Sequence, residues 1–211
     1  RTTSSAASDV YKRQISGSHF ALNGISFWEE FGPSALTAKI RAEGMYNFGP
    51  SLSPNNAFYI LQGIETLSLR MKKHIENTKM MLEFLKKNES VSWLRHPDLE
   101  DHPDHKIAKK ILPLGSGSII VFGIKGGRDA GKAFIENVKL SSHLANVGDA
   151  KTLLIHPGST THSHLSSEAM KMSGLTDDMI RLSVGLEDIE DIKIDFEKGF
   201  KAAAKISSKR S

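Results

Sequence analysis

The chain has 211 residues, of which 39% are hydrophobic and 25% charged, so it can fold around one sizeable core. It contains no cysteine, which excludes a disulfide framework and a thiolate metal site, and it has no apolar run of the roughly 20 residues that span a membrane. The net charge of +4 comes largely from the C-terminal residues and does not indicate nucleic-acid binding. These features predict a cytoplasmic globular protein that binds neither nucleic acid nor membrane.

The N-terminal stretch differs from the rest of the chain. Residues 1–14 are mostly small or polar, do not begin with methionine and lack the apolar segment of a signal peptide. We therefore predict that residues 1–14 are a non-native tail. Residues 15–52 are predicted to be the remnant of an upstream domain.

A long helix is predicted next. Ser53 is a good N-cap, and Pro54 suits the first helical position. Apolar residues then recur mostly at steps of three or four as far as Leu85, which predicts a connecting helix over residues 53–88. Such a helix is about 45 Å long and usually bridges two bodies. We expect exposed apolar surface on it, where a further domain would pack.

Beyond Asn88 the chain alternates between strand and helix patterns, which predicts an α/β domain over residues 89–205 and a basic tail over residues 206–211. A small sheet covered by helices is the expected architecture. Predicted strands cover residues 91–94, 118–124, 152–155 and 179–184, and predicted helices cover residues 104–111 and 129–138. A final amphipathic helix should bury Ile189, Ile192, Phe196, Phe200 and Ala203.

One predicted strand contains a charge. Arg181 lies between Ile180 and Leu182, and burying a guanidinium costs roughly several kcal/mol unless an anion meets it. The natural anion is a carboxylate, because the planar fork of arginine engages it through two parallel hydrogen bonds. The carboxylate could belong to an amino-acid substrate, or to Glu187 or Asp188. The spacing alone leaves both interpretations open.

Several ordered blocks decide between these interpretations by resemblance. They include Leu52-Ser-Pro54, Gly63-Ile-Glu-Thr-Leu67, Phe122-Gly-Ile-Lys-Gly-Gly-Arg128, Ser142-His-Leu-Ala-Asn-Val-Gly-Asp149, Ser159-Thr-Thr-His162 and Arg181-Leu-Ser-Val-Gly185. In these blocks the chain resembles the C-terminal part of the pyridoxal-phosphate (PLP) enzymes of cysteine and methionine metabolism, most closely O-acetylhomoserine sulfhydrylases. The resemblance implies the C-terminal domain of a fold-type I PLP enzyme, with a small, mainly antiparallel sheet.

The resemblance also implies a reaction and a site. O-acetylhomoserine would lose its acyl group and accept sulfide or a small thiol to give homocysteine, with PLP as the cofactor, in a homo-oligomer that we expect to be a tetramer. Arg181 would hold the substrate carboxylate, and Asn146 would approach it from a loop. Thr160 and Thr161 would belong to a neighbouring loop of the substrate site.

The lysine that forms a Schiff base with PLP has no match here. The resemblance places it in a Ser-x-Thr/Ser-Lys context before a glycine-rich turn, and neither Lys12 nor Lys39 has that context. We therefore expect the carboxyl-terminal half of a longer enzyme, inactive by itself and without a catalytic residue of its own. The alternative is a stand-alone amino-acid-binding or subunit-interaction module without catalysis.

Three histidines resemble a metal-binding cluster by composition. His96, His102 and His105 lie among several acidic residues. Their spacing does not suit a pair on one helix, however, and Pro97 and Pro103 indicate a turn. We predict no metal site.

Overall fold

The computed structural model describes residues 15–157, 160, 172 and 174–208. The chain divides into two compact units, one ending at Gln62 and the other beginning at Gly63. In the described part of the chain, no helix is long and apolar enough to cross a membrane.

The first unit consists of short elements. Ser26 caps its first helix, because the serine hydroxyl accepts a hydrogen bond from the backbone N–H of Glu29. Phe27 and Ala35 are its buried apolar side chains. The elements are strands β1 (Ser18–His19) and β2 (Ile25–Ser26), which pair antiparallel, and helices α1 (Phe27–Phe31), α2 (Ala35–Lys39) and α3 (Tyr46–Phe48).

The run predicted as one long helix is interrupted once. Helix α4 spans Pro54–Glu65 and helix α5 spans Leu67–Lys87, with Thr66 between them at φ −102° and ψ 2°. Ser53 caps α4 as predicted, since its hydroxyl accepts from the backbone N–H of Asn56 at 3.1 Å. Glycine and threonine are weak helix formers, so Gly63 and Thr66 favour a break at this point.

The apolar residues of this run differ in burial between the two helices. On α4, Phe58, Leu61 and Ile64 are each more than half exposed. On α5, Met81 and Leu85 are fully buried. The exposed apolar surface that the sequence predicts therefore covers α4 and continues onto the first turn of α5, where Leu69 is 69% exposed.

The second unit contains a five-stranded sheet in the order β3-β4-β7-β6-β5. Strands β3, β4, β7 and β6 pair antiparallel, and β5 pairs parallel with β6, which confirms the prediction of a small, mainly antiparallel sheet. The four predicted strands are present, and β5 is an addition. The strands are β3 (Val91–Arg95), β4 (Ile119–Ile124), β5 (Ser142–His143), β6 (Leu153–Ile155) and β7 (Met179–Ser183).

Three helices cover one face of this sheet. Strand β4 points Ile120, Phe122 and Ile124 into the core, and β7 adds Ile180 and Leu182 on the same face. Helices α6, α7 and α8 span His105–Ile111, Gly127–Asn137 and Ile189–Ser207. The core side chains of β4 and β7 form one cluster with residues of α5, α7 and α8, which are the three covering helices.

Aromatic rings fill the centre of the core. Phe122, Phe134, Phe196 and Phe200 have ring centroids 4.8–6.4 Å apart. Helix α8 buries the face that the sequence predicts, and Asp195 on the same helix accepts hydrogen bonds from the backbone N–H groups of Lys139 and Ser141. These contacts join α8 to the rest of the unit and leave the opposite face of the sheet available for a site.

Candidate substrate site

A cavity of about 760 Å³ lies on the face of the sheet opposite the core. Because side chains alternate along a strand, the residues between the core positions of β4 and β7 line it. The volume lies within the usual range of small-ligand sites. The described lining comprises Arg95, His96, Pro97, His102, Ile119, Val121, Ala145, Asn146, Val147, Ile155, Pro157, Leu175, Met179 and Arg181.

The described lining is basic. Its charged side chains are the guanidinium groups of Arg95 and Arg181, and it includes no aspartate or glutamate; His96 and His102 add imidazole rings. A cleft lined by one sign of charge concentrates ligands of the opposite sign. The cavity therefore suits an anionic ligand.

Arg181 is half-buried on β7. Its Nη2 donates a hydrogen bond to the backbone carbonyl of Asn146 at 3.4 Å, and it forms no ion pair with any residue that the structure describes. An arginine has five N–H donors. Most of the donors of Arg181 are thus left for a ligand.

The alternative partners of Arg181, Glu187 and Asp188, form no ion pair with it in the structure. The Glu187 carboxylate accepts hydrogen bonds from the backbone N–H and the hydroxyl of Thr152, at 2.7 and 2.8 Å. Asp188 caps helix α8 by accepting from the backbone N–H of Glu190 at 2.8 Å. Both acids therefore form hydrogen bonds within the backbone framework and not with the guanidinium.

Two side chains of α5 fix the end of the strand that carries Arg181. His74 Nδ1–H donates to the carbonyl of Val184 at 2.7 Å. The amide of Asn77 donates to the carbonyls of Gly185 and Glu187 at 3.0 and 2.9 Å. The sequence assigns neither residue this role, because about 110 positions separate them from their partners.

Asn146 meets Arg181 through its backbone. Its side-chain carbonyl accepts from the backbone N–H of Val147 at 2.9 Å, and its amide donates to Asp149 at 3.2 Å. Hydrogen bonds from the Lys151 backbone and from Asn146 lower the pKa of Asp149. The ionised carboxylate of Asp149 therefore stabilises the loop that presents the Asn146 carbonyl to Arg181.

The structure describes one of the two threonines predicted for the site. The hydroxyl of Thr160 donates to the backbone carbonyl of His156 at 2.9 Å, next to Pro157, which lines the cavity. Thr161 lies outside the residues that the structure describes.

The three histidines of the predicted turn, His96, His102 and His105, form hydrogen bonds with nearby backbone groups. The Nδ1 atoms of His96 and His102 accept from the backbone N–H groups of Asp98 and Asp104, each at 3.1 Å. His105 Nδ1–H donates to the carbonyl of Pro97 at 2.8 Å. Over the described ranges, 15–157 and 174–208 included, no group of three or more histidines and acids is placed to hold a metal.

Two buried histidines carry lowered pKa values. Burial lowers the pKa of His156, because a charged imidazolium loses its hydration there, although the Asp177 carbonyl at 2.8 Å from Nε2 opposes the shift. Burial lowers the pKa of His96 as well, against the attraction of Asp98. Both rings thus resist protonation in the folded chain.

The free energy of unfolding should therefore decrease as the pH is lowered below 6.5, the ordinary histidine pKa. Above that pH the two rings are neutral in both states, so they contribute no pH dependence. Below it the unfolded chain binds protons that the folded chain resists, until the lowered folded-state pKa is reached. Urea unfolding at pH values on both sides of 6.5 measures this slope. His156→Gln cannot titrate and should reduce the slope, and an unchanged slope would contradict the assignment.

The family model described as Cys/Met metabolism PLP-dependent enzyme matches residues 12–201. The chain belongs to this family. O-acetyl-L-homoserine sulfhydrylase 1 of Thermus thermophilus is 45% identical over 176 residues, which cover 83% of this chain and 42% of that protein. Homocysteine synthase of Schizosaccharomyces pombe is 43% identical over 185 residues, which cover 88% and 43%. The chain thus spans less than half the length of these relatives.

Solved structures of the family share the fold. A putative O-acetylhomoserine (thiol)-lyase from Campylobacter jejuni superposes with a TM-score of 0.72 at 29% identity, over 90% of this chain and 45% of that one. That structure contains pyridoxyl-lysine phosphate. Cystathionine γ-synthase from Xanthomonas oryzae superposes with a TM-score of 0.67 at 32% identity, over 75% and 41%. The fold is therefore that of a fold-type I PLP enzyme, as the resemblance implies.

The cavity does not fit the attachment of PLP. The cofactor is held through a lysine amine, and the described lining contains no lysine. Its two arginines suit an anionic ligand. The described lining therefore offers no attachment point for the cofactor.

Proposed function

We propose that the full-length protein is an O-acetylhomoserine sulfhydrylase, which makes homocysteine from O-acetylhomoserine and sulfide or a small thiol. The relatives named for that reaction support this proposal. One observation of the structure carries it, namely that the half-buried Arg181 has no acidic partner among the described residues and lines a cavity whose described lining has no acidic side chain.

In this proposal the chain binds and orients the substrate. Arg181 takes the α-carboxylate through its free donors, and the Asn146 loop lies against the same group. Thr160 and Thr161 form the neighbouring loop. The apolar side chains of Val121 and Met179 contact the methylene groups of the substrate and exclude water from them. PLP and its lysine belong to the part of the relatives that this chain does not span.

We further propose the domain boundaries, the assembly and the location of the full-length protein. Residues 15–52 belong to the cofactor domain, residues 53–88 connect the domains, and residues 89–205 form the substrate-side domain. The exposed apolar residues of α4 then pack against the remainder of a homo-oligomer, which we take to be a tetramer. A cytoplasmic location agrees with the absence of cysteine from the sequence.

The test is an assay of the purified full-length protein with PLP, O-acetylhomoserine and sulfide, in which homocysteine and acetate are measured. We expect turnover by the full-length protein and none by the 211-residue chain alone. If the full-length protein shows no turnover and the isolated chain binds an amino acid with micromolar affinity, the stand-alone binding module replaces this proposal.

A further inference from the structure

One threonine fastens the segment that follows β7 to a neighbouring loop. The backbone N–H of Gly185 donates a hydrogen bond to the hydroxyl of Thr152 at 2.9 Å. That hydroxyl donates in turn to the carboxylate of Glu187 at 2.8 Å, and the backbone N–H of Thr152 donates to the same carboxylate at 2.7 Å. These three hydrogen bonds join Gly185, Glu187 and Thr152 in what we call the Thr152 latch.

The Thr152 latch is buried and closely packed. Thr152 is fully buried, and its hydroxyl acts both as an acceptor and as a donor. A Cβ atom on Gly185 would overlap the backbone nitrogen of Thr152 and the carboxylate of Glu187. The two segments are thus in direct contact, with no room for a side chain at Gly185. Loss of the Thr152 hydroxyl would leave a buried N–H donor and a carboxylate oxygen without their partner, which favours separation of the segments.

The latch joins the two elements that meet at the candidate substrate site. Arg181 lies on β7, just before the latch, and Asn146 lies in the loop that leads to Thr152. The carbonyl of Asn146 accepts from Nη2 of Arg181 at 3.4 Å and so restrains one side of the guanidinium. Thr152 and Glu187 do not belong to the described lining of the cavity. The latch therefore acts on a ligand through the placement of Arg181 and Asn146.

The orientation of the Arg181 guanidinium decides how well it binds a carboxylate. Its planar fork forms two parallel hydrogen bonds, so its edge must face the ligand. An arginine side chain has many rotamers, and a restraint that acts before binding reduces the entropy lost on binding. The Asn146 carbonyl supplies such a restraint as long as its loop stays against β7.

We propose that Thr152 is a positioning residue for the substrate carboxylate. It holds the Asn146 carbonyl against Arg181, which turns the remaining donors of the guanidinium toward the cavity. This inference rests on the proposed function, in which Arg181 takes the α-carboxylate of the amino-acid substrate.

The first test replaces the hydroxyl in the full-length protein. Thr152→Val keeps the shape of the side chain and should raise KM for O-acetylhomoserine about 10-fold, with kcat changed by no more than about threefold, because it weakens binding in the ground state and the transition state alike. Thr152→Ser keeps the hydroxyl and should restore the parent KM. Thr78→Val is the matched control, since Thr78 is also buried and donates to the carbonyl of His74 on its own helix at 2.7 Å. It should keep the parent KM.

A double-mutant cycle separates positioning from a general effect on the fold. In the Arg181→Ala background, Thr152→Val should change kcat/KM by no more than about twofold, because no guanidinium is left to orient. A role in folding alone predicts that Thr152→Val lowers kcat/KM by the same factor in both backgrounds.

A further measurement requires no turnover. Calorimetry on the full-length protein compares 2-aminobutyrate with 2-aminobutanamide, in which a neutral amide replaces the carboxylate. The parent protein should prefer the acid, Thr152→Val should reduce that preference about 10-fold, and Thr152→Ser and Thr78→Val should keep it. If Thr152→Val does not fold, Glu187→Gln takes its place, because the amide has one acceptor oxygen where the carboxylate has two.

The outcomes separate this inference from the proposed function. Absence of turnover by the parent protein would refute the proposed function, and the calorimetric preference would still decide the role of Thr152. That role is overturned if the parent protein does not prefer the acid, or if a folded Thr152→Val or Glu187→Gln variant keeps the parent preference. It is also overturned if Thr78→Val raises KM as much as Thr152→Val, or if the effects of Thr152→Val and Arg181→Ala are independent.

Discussion

Replacing Arg181 with alanine in the full-length protein is expected to lower kcat/KM for O-acetylhomoserine by about 1.5 to 3 orders of magnitude, because a bidentate charged contact is worth about 2–4 kcal/mol. The fold should survive. The guanidinium forms no ion pair with the described residues, and its described hydrogen bond, to the Asn146 carbonyl, is 3.4 Å long. Steady-state kinetics and thermal unfolding of the same preparation measure the two effects.

Two variants calibrate this prediction. Arg181→Lys keeps the charge and loses the planar fork, so its activity should lie between those of the parent protein and Arg181→Ala. Arg128→Ala removes the same charge from an exposed position outside the cavity lining and should keep most of the activity. If Arg181→Ala keeps the parent kcat/KM, the carboxylate assignment is wrong. If the variant unfolds instead, the role of Arg181 is structural.

The regular elements of the second unit are predictable from the sequence, because each has a strong periodic pattern. Helix α8 is the clearest case, since Ile192, Phe196 and Phe200 recur at steps of four and are all buried. Strand β5 is not predictable in this way. It has two residues, Ser142 and His143, and is defined by its parallel pairing with β6.

The candidate site is only partly predictable, because the sheet assembles it from distant segments. Arg181 is recognisable as a charge within an apolar strand. Arg95 gives no such signal, since the predicted strand ends at Leu94 and the observed one continues by a single residue. That residue enters the cavity through the pairing of β3 with β4 and of β4 with β7, which no local pattern encodes.

Replacing Phe134 with alanine should destabilise the chain by about 3–5 kcal/mol, because the surrounding backbone cannot close the cavity that is left. The side chain is fully buried, and its ring centroid lies 5.3 Å from that of Phe196 and 4.8 Å from that of Phe200. Helix α8 approaches so closely that a Cβ atom on Gly199 would lie 2.6 Å from the Phe134 ring. Urea unfolding measures the loss.

Phe58→Ala is the matched control for Phe134→Ala, since it removes an equal side chain that is 58% exposed on α4. Its cost in the isolated chain should stay within about 0.5 kcal/mol. Equal costs for the two variants would contradict the assignment of the aromatic cluster as the core.

Phe134 packs on the core face of the sheet and Arg181 on the cavity face. Arg181→Ala should therefore lower kcat/KM with little loss in the free energy of unfolding. Phe134→Ala should lower the free energy of unfolding with little change in kcat/KM of the protein that remains folded.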